Sequence, residues 1–453
     1  MNSYDSQLAA GLLEREGFEV VMEGEASEMC VTADGRPKLS QGADIVLMNT
    51  CSVREHAEER VWGRLGMLGK EKEENPALIV GLMGCMVEEH RETLFKRFPR
   101  LDFMVGTRNI KELAWIIREV QKTRAQTARI KQEGLSIEYC ENTRHETNGH
   151  AWLPIMTGCD KICTFCIVPK TRGREVSMPA REVLCEAERL AAKGIKWVTL
   201  LGQNVNSYNG TRDSGLGTGS FPELLEMLCR IQGLERISFT TSHPQDATEE
   251  LFQVIARNPK ISRRFHLPLQ SGSDTILRRM KRLHTFAEYR AKVERLRALV
   301  TDVAITTDLI VGFPTESAED HEATVRALRE IRFDGAFIYK YSARPGTPAA
   351  RLRDDVSDAE KAARLQELLG LQKKIRDARG RDLVGKVFTA YVESARDDRP
   401  REQIGRTDHD RRVAFEAEKD LRGRFVCLEI TGLRHETFQG KLVSSEAGRA
   451  GLS

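Results

Sequence analysis

Long apolar runs are missing from this chain of 453 residues. No stretch approaches the ~18 apolar residues that a membrane helix needs. The opening, MNSYDSQLAAGLLERE, has no cationic region followed by an apolar one, so no secretory leader is read there. An excess of one charge is also missing: 70 Lys and Arg against 67 Asp and Glu leave a formal net charge of +3. That is too small to mark a nucleic-acid partner by itself, though it leaves room for a local basic face. No solenoid repeat is visible. Nor does the chain have the cysteine density of a small disulfide scaffold, with 10 cysteines spread over its length. These absences predict a soluble cytoplasmic protein with no membrane contact. At ~100–200 residues per domain, the length suggests about three domains.

What is present is a clustering of cysteine. Cys159, Cys163 and Cys166 stand within eight residues, and the other seven are scattered. In a reducing compartment such a cluster binds metal or does chemistry more readily than it forms bridges.

Around it, strand and helix patterns alternate. Residues 43–50 (ADIVLMNT) form a short continuous apolar run ending at Cys51, as in a buried parallel strand. Val53, Ala57, Val61, Leu65 and Leu68 then recur at helical spacing. Residues 77–84 (ALIVGLMG) repeat the pattern, end at Cys85 and lead into one helix, VEEHRETLFKRF. Two strands thus each deliver a cysteine to the carboxyl edge of a parallel sheet, where open α/β sheets hold ligands. The chain start opens with a helix, Ser3 and Asp5 being natural caps for an apolar face of Leu8, Ala9, Leu12 and Leu13. By analogy with the other two units, a strand ending in a cysteine is expected just upstream of Met1, from a mis-assigned start.

Residues 121–150 read as a polar linker. Six strand-like segments follow: LPIMTG, WVTLLG, RISFTT, FHLPLQ, AITTDLIVGF and GAFIYKYS, with helical patterns such as 179–193 between most of them. This is the pattern of a partial (β/α) barrel. Residues 357–381 read as a charged helix opened by a capping box of Ser357 and Glu360. Beyond it, VFTAYVES, RRVAFEAE, RFVCLEIT and FQGKLVSS predict a small antiparallel β-barrel. The expected fold class is therefore α/β, with an N-terminal open parallel α/β domain, a TIM-like partial barrel and a C-terminal antiparallel β-barrel.

The cysteine trio lies in GCDKICTFCIVPKTRGRE, directly after the first barrel strand. Zinc sites usually supply four ligands as paired C-x-x-C units, and no fourth ligand is near in sequence. Three thiolates on one loop suit a [4Fe–4S] cube with one iron left open to substrate. This spacing, C-x-x-x-C-x-x-C, resembles the hallmark of the radical S-adenosylmethionine (SAM) enzymes. Further motifs narrow the resemblance: NTCSVREHAEER at 49–60, Gly84-Cys-Met86, residues 158–177, LLGQNVNSY at 200–208, TTSHP at 240–244, HLPLQSGS at 266–273 and DLIVGFP at 308–314. Together they resemble tRNA methylthiotransferases of the MiaB type over nearly the whole chain.

The resemblance implies three domains: 1–122 with an auxiliary cluster, a radical SAM core at 145–378 and an RNA-binding TRAM barrel at 380–446. It implies two [4Fe–4S] clusters, with metal ligands Cys159, Cys163 and Cys166 for one and Cys51 and Cys85 for the other. The family's first auxiliary cysteine matches no residue here, because Met1-Asn2 begins where that motif ends. SAM is the implied cofactor, and methylthio transfer to C2 of N6-dimethylallyladenosine beside the tRNA anticodon is the implied reaction. A low-potential electron donor such as flavodoxin and a monomeric state are expected. The alternatives are methylthiolation of threonylcarbamoyladenosine or of a ribosomal-protein aspartate, or a non-catalytic metal-containing RNA-binding protein. RVWGRLGML at 60–68 and GQNVNSY favour the first reading by resemblance.

Gln203, Asn204 and Ser242 follow barrel strands, where polar groups reach a bound cofactor, Gln203 and Asn204 being otherwise a loop cap; Gln270 and Ser271 close another strand that the resemblance makes part of the SAM pocket, and Asp308 either contacts cofactor or satisfies local backbone. His243 is either a proton handler or a hydrogen-bonded structural histidine. Ser273 closes the same strand as Gln270, and Glu316 either contacts cofactor or satisfies local backbone. Arg172 and Arg174 are candidates for the SAM carboxylate or a tRNA phosphate. The run 278–282 (RRMKR) is either an RNA-facing patch or a solvated helix face. In 381–446, 13 Lys and Arg balance 13 Asp and Glu, so an RNA role there rests on resemblance. Phe415 and Phe438 are either core residues or base-stacking platforms. Cys30, Cys140, Cys185, Cys229 and Cys427 read as small apolar residues, with a substitute ligand the alternative for Cys30, which lacks the strand-end context of Cys51 and Cys85.

Overall fold

In a computed structural model, the structure describes residues 2–22, 30–31, 37–38, 40, 42–52, 55–130, 143, 149–210, 219–300, 302–396, 399 and 401–444. Val53, Cys140 and most of the expected linker lie outside these residues, as do the side chains of Cys30 and Ala57. The chain divides into two compact units: 1–146 with 156–161 and 166–176, and 147–155 with 162–165 and 177–453. Among the described residues no helix is long and apolar enough to cross a membrane.

The first unit is built on a four-stranded, wholly parallel sheet of Ile45–Thr50, Ile79–Gly84, Phe103–Val105 and Thr127–Arg129, in that spatial order. Ile79–Gly84 is buried at all six positions, which explains its continuous apolar reading. Gly81 has no substitute there, because a Cβ would stand 2.1 Å from the Phe103 ring. Helix Leu113–Thr123 lays Leu113, Ile116, Ile117 and Val120 on the sheet at 3–4 residue spacing. Two expectations need correction. The last strand falls inside the stretch read as linker, since its short TAR sequence has no alternation to announce it. The single helix expected after Cys85 is two, Cys85–His90 and Glu92–Arg97, broken where Arg91 takes φ 37°.

The second unit holds the six expected strands, all parallel. His150–Pro154, Trp197–Leu201 and Arg236–Phe239 form one ladder, and Arg264–His266, Ala304–Val311 and Gly335–Lys340 the other. A parallel bridge between Ile237 and Ile261 connects them, and no ladder among the described residues joins first strand to last. The barrel is therefore partial, as expected. Its helices start at hydroxyl caps: Ser220, Thr285 and Ser317 form reciprocal capping boxes with Glu223, Glu288 and Asp320. Ser357 makes only half of its expected box. Its Oγ accepts from the Glu360 amide at 3.2 Å, while the Glu360 carboxylate turns to Arg364.

The C-terminal strands close into a five-stranded barrel in the order Val387–Ala395, Glu402–Thr407, Arg412–Glu416, Thr437–Ser444, Phe425–Arg434. Two corrections apply. Glu402–Thr407 (EQIGRT), not among the four strands expected, forms a fifth, and Arg412–Glu416 pairs with Thr437–Ser444 in parallel. Phe415 and Phe438 belong to its core, which removes them as base-stacking platforms. Arg236, 1% exposed, ties this barrel to the central one. It pairs with Asp408 and donates to the carbonyls of Arg406 and Thr389 at 2.9 and 3.3 Å.

Candidate metal centre and cofactor pocket

In the first unit the strand ends Thr50 and Gly84 are paired in register, so Cys51 and Cys85 leave the sheet at the same carboxyl edge. Gly84 takes φ 102°, and a Cβ on it would lie 2.5 Å from the Thr50 carbonyl; only glycine allows this approach. The helix Asn2–Arg15 opens at this edge too. Asn2 Nδ2 donates to the Thr50 carbonyl at 3.0 Å, and Asn49 Nδ2 to the Asn2 carbonyl at 2.7 Å.

Cys85 is buried and Cys51 half-buried. Burial pushes the Cys85 thiol up, against the pull of the Arg172 charge. Arg172 Nε stands 3.3 Å from Cys85 Sγ, and its Nη2 donates to Asp5 Oδ2 at 2.6 Å. Burial disfavours the guanidinium charge, yet Asp5 and Cys85 hold it above the ordinary arginine range. Two expectations change here. Asp5 is a buried carboxylate rather than a helix cap, and Arg172, 3% exposed, is spent on Asp5 and Cys85 rather than on a SAM carboxylate or a tRNA phosphate.

The cysteine loop begins at Gly158, whose φ of +75° suits glycine and whose Cβ would stand 2.0 Å from the Arg174 carbonyl. Cys159 N donates to the Gly173 carbonyl at 3.2 Å. Arg174 is 88% exposed in its side chain and grips Asp160 with two bonds of 3.0 Å. Those bonds, with the Glu175 amide, hold the Asp160 carboxyl below its ordinary range. In the second unit, Thr164 N donates to the Met280 carbonyl at 3.0 Å and Thr164 Oγ1 to the Arg279 carbonyl at 2.9 Å. Cys163 Sγ lies 3.4 Å from Arg282 Nη1. Cys159, Cys163 and Cys166 are all half-buried and outside any disulfide.

The arginine run at 278–282 is not one face. Arg278 and Arg279 are exposed, Arg279 donating to the Thr315 carbonyl at 3.0 Å, whereas Arg282 is 4% exposed and turned to the Cys163 sulfur. Charge patterning marks the run but not which member points inward, so this contact was not legible.

The barrel's carboxyl ends gather the remaining candidates. Asn204 Nδ2 donates to Asp246 at 2.7 Å, and Gln203 is half-buried. Gln270 takes φ 76° and bridges to the neighbouring strand, its N donating to the Asp308 carbonyl at 2.9 Å. Ser271 Oγ is 3.3 Å from Thr324 Oγ1 and accepts from Ser273 N, while Ser273 Oγ caps the helix Asp274–Arg279. Asp308 Oδ2 meets His266 Nε2 at 3.2 Å. His243 Nδ1 accepts from the Gln245 amide at 3.2 Å. Glu316 answers local needs, accepting from Gly312 N at 2.7 Å and Arg364 at 2.6 Å.

Several polar atoms at these strand ends are buried without a protein partner: Asn204 Oδ1, Ser242 Oγ and Gln270 Oε1, with His284 Nε2 in the loop between helices Asp274–Arg279 and Phe286–Leu299. Buried polar groups are otherwise satisfied in folded proteins, so such a group of orphans fits a pocket whose hydrogen bonds come from a polar organic ligand. Thr241, at φ 63°, is a β-branched residue in the left-handed region beside them, the kind of backbone strain that collects at functional sites.

His284 gives a pH prediction. Burial and the Arg282 charge lower its pKa from 6.5 to about 4. A histidine lowered on folding stabilises above its unfolded pKa, and that contribution is lost as pH falls from about 6.5 toward 4. Between pH 7 and 5 the second unit should lose about 2 kcal/mol from this group. His284→Gln should flatten that part of the urea-unfolding pH profile; an unchanged slope would contradict the assignment.

Residues 153–328 match the radical SAM superfamily, and residues 36–106 match the uncharacterized protein family UPF0004. The structure of the radical S-adenosylmethionine methyltransferase TsrM from Kitasatospora setae, with cobalamin and a [4Fe-4S] cluster bound, is similar in fold. Its TM-score is 0.53 at 17% identity, covering 77% of this chain and 71% of that one. The partial barrel and its cysteine loop thus define a radical SAM protein. The tRNA-2-methylthio-N(6)-dimethylallyladenosine synthase of Dictyoglomus thermophilum is 42% identical over 98% of this chain and 96% of its own length. That of Symbiobacterium thermophilum is 40% identical over 98% and 93%. The chain belongs to this family of tRNA methylthiotransferases.

Proposed function

We infer that this protein transfers a methylthio group to C2 of N6-dimethylallyladenosine in tRNA. The observation that carries the reading is the identity of about 40% with the synthases along 98% of the chain. The chemistry agrees with it. An aromatic C2–H has neither an acidic proton nor a leaving group, so the position calls for a radical. A [4Fe–4S] cluster with SAM supplies the 5′-deoxyadenosyl radical when bound.

The chain's own part is to bind, orient and shield. Cys159, Cys163 and Cys166 would hold the radical-generating cluster, and Cys51 and Cys85 would supply thiolates to the auxiliary one. Asn204, Ser242 and Gln270, with their orphaned atoms, would take the polar groups of SAM, assisted by Gln203, Ser271, Asp308 and Arg174. Three domains are proposed, at 1–122, 145–378 and 380–446, the last as an RNA-binding TRAM barrel. The anticodon loop would present its purine unpaired. A flavodoxin-like donor, a cytoplasmic location and a monomeric state complete the reading.

Nucleoside mass spectrometry of tRNA from a strain lacking the gene tests it. Loss of the methylthio group from dimethylallyladenosine, restored by the intact chain, is expected. Retention of the methylthio group on dimethylallyladenosine, or loss of methylthio-threonylcarbamoyladenosine instead, would overturn it.

A further inference from the structure

The buried arginines differ in one respect. Three of the buried arginines, Arg172, Arg236 and Arg364, each hold a carboxylate, from Asp5, Asp408 and Glu316. Arg282, 4% exposed, holds none among the described residues. Its Nη2 donates to the Pro268 carbonyl at 2.7 Å, its Nη1 faces Cys163 Sγ at 3.4 Å, and its Nε is buried without a partner. A guanidinium out of water with no counter-charge is a costly arrangement.

The backbone is bent to create it. Lys281 and Leu283, on either side, take φ 54° and 57°, and Leu283 is left 56% exposed. Two left-handed non-glycine residues around one inward arginine are strain that the fold retains.

We propose that Arg282 is the counter-charge of the iron–sulfur cluster held by Cys159, Cys163 and Cys166, and a positioning residue that keeps the cluster within reach of its electron donor. The inference rests on the function proposed above. Thiolate ligands make such a cluster anionic, and it becomes more so when it takes up one electron from a low-potential donor protein. An N–H aimed at a ligand sulfur, carrying positive charge, stabilises the added electron and raises the reduction potential.

The test uses the full chain with Cys51 and Cys85 replaced by alanine, so that one cluster remains. Iron content and an EPR-monitored potential titration, without SAM, are compared for this parent, Arg282→Met, Arg282→Lys and the exposed control Arg279→Gln. Arg282→Met should move the midpoint negative by tenfold in reduction equilibrium, about 59 mV for one electron. Arg282→Lys should shift less, and Arg279→Gln not at all. Should Arg282→Met fail to hold iron, a loaded Arg282→Lys with a negative shift still supports the assignment. A loaded variant with the parent's potential overturns it, as does loss of iron from both. A parent that binds no iron overturns the cluster reading itself along with this inference.

Discussion

Replacing any one of Cys159, Cys163 or Cys166 with alanine should end 5′-deoxyadenosine formation and cost about four irons per chain. The size of the effect follows from the number of ligands. In the proposed site three thiolates would hold three irons of the cube and the fourth would stay open for SAM, so no ligand would be redundant. The loop offers no replacement, since none of the other free cysteines belongs to residues 158–166. Cys185 is exposed on helix Ala180–Ala192, and Cys229 lies on helix Phe221–Arg230; alanine at either should leave iron and SAM cleavage unchanged. Iron and sulfide analysis of anaerobically prepared protein, with chromatography of the nucleoside product, decides the matter. A single-alanine variant that kept its iron and its cleavage would refute the ligand set.

The second large effect concerns Asp5. Its carboxylate and the Arg172 guanidinium are 6% and 4% exposed in their side chains and 2.6 Å apart. Removing one partner of such a pair leaves the other charge buried and uncompensated, at a cost of about 3–5 kcal/mol. Asp5→Ala should therefore destabilise the first unit by that amount in urea unfolding or hydrogen exchange. The double variant Asp5→Leu with Arg172→Met, which removes both charges, should recover most of the loss. If Asp5→Ala matched the parent, the pair would not be the buried lock that its geometry describes. The same lock orients Arg172 toward Cys85, so Asp5→Ala should also disturb the auxiliary thiolate site at the sheet edge.

Local patterns carried much of this protein. Ile79–Gly84 read as a buried strand because every position is apolar or glycine, and a strand buried on both faces shows that run directly. The trio at 159, 163 and 166 stood out because its three cysteines share one loop. Sequence was weakest where a strand owes its existence to its neighbours. Thr127–Arg129 and Glu402–Thr407 are polar and are held by ladders to Phe103–Val105, Val387–Ala395 and Arg412–Glu416. Propensity has nothing to report there.

The division between the two sources of information follows from range. Hydrophobic periodicity, hydroxyl caps and a closely spaced cysteine motif act within about a turn or a strand, so the amino-acid order alone determined the strand–helix alternation and the partial barrel and marked the proposed cluster ligands. Which charges point inward was decided only in three dimensions. Arg172 meets a carboxylate 167 residues away, and Arg282 meets a sulfur 119 residues away. The neighbouring arginines Arg174, Arg278 and Arg279 look alike in the sequence and remain on the surface. A guanidinium is tolerated out of water only where a partner waits, and tertiary packing sets that partner's position.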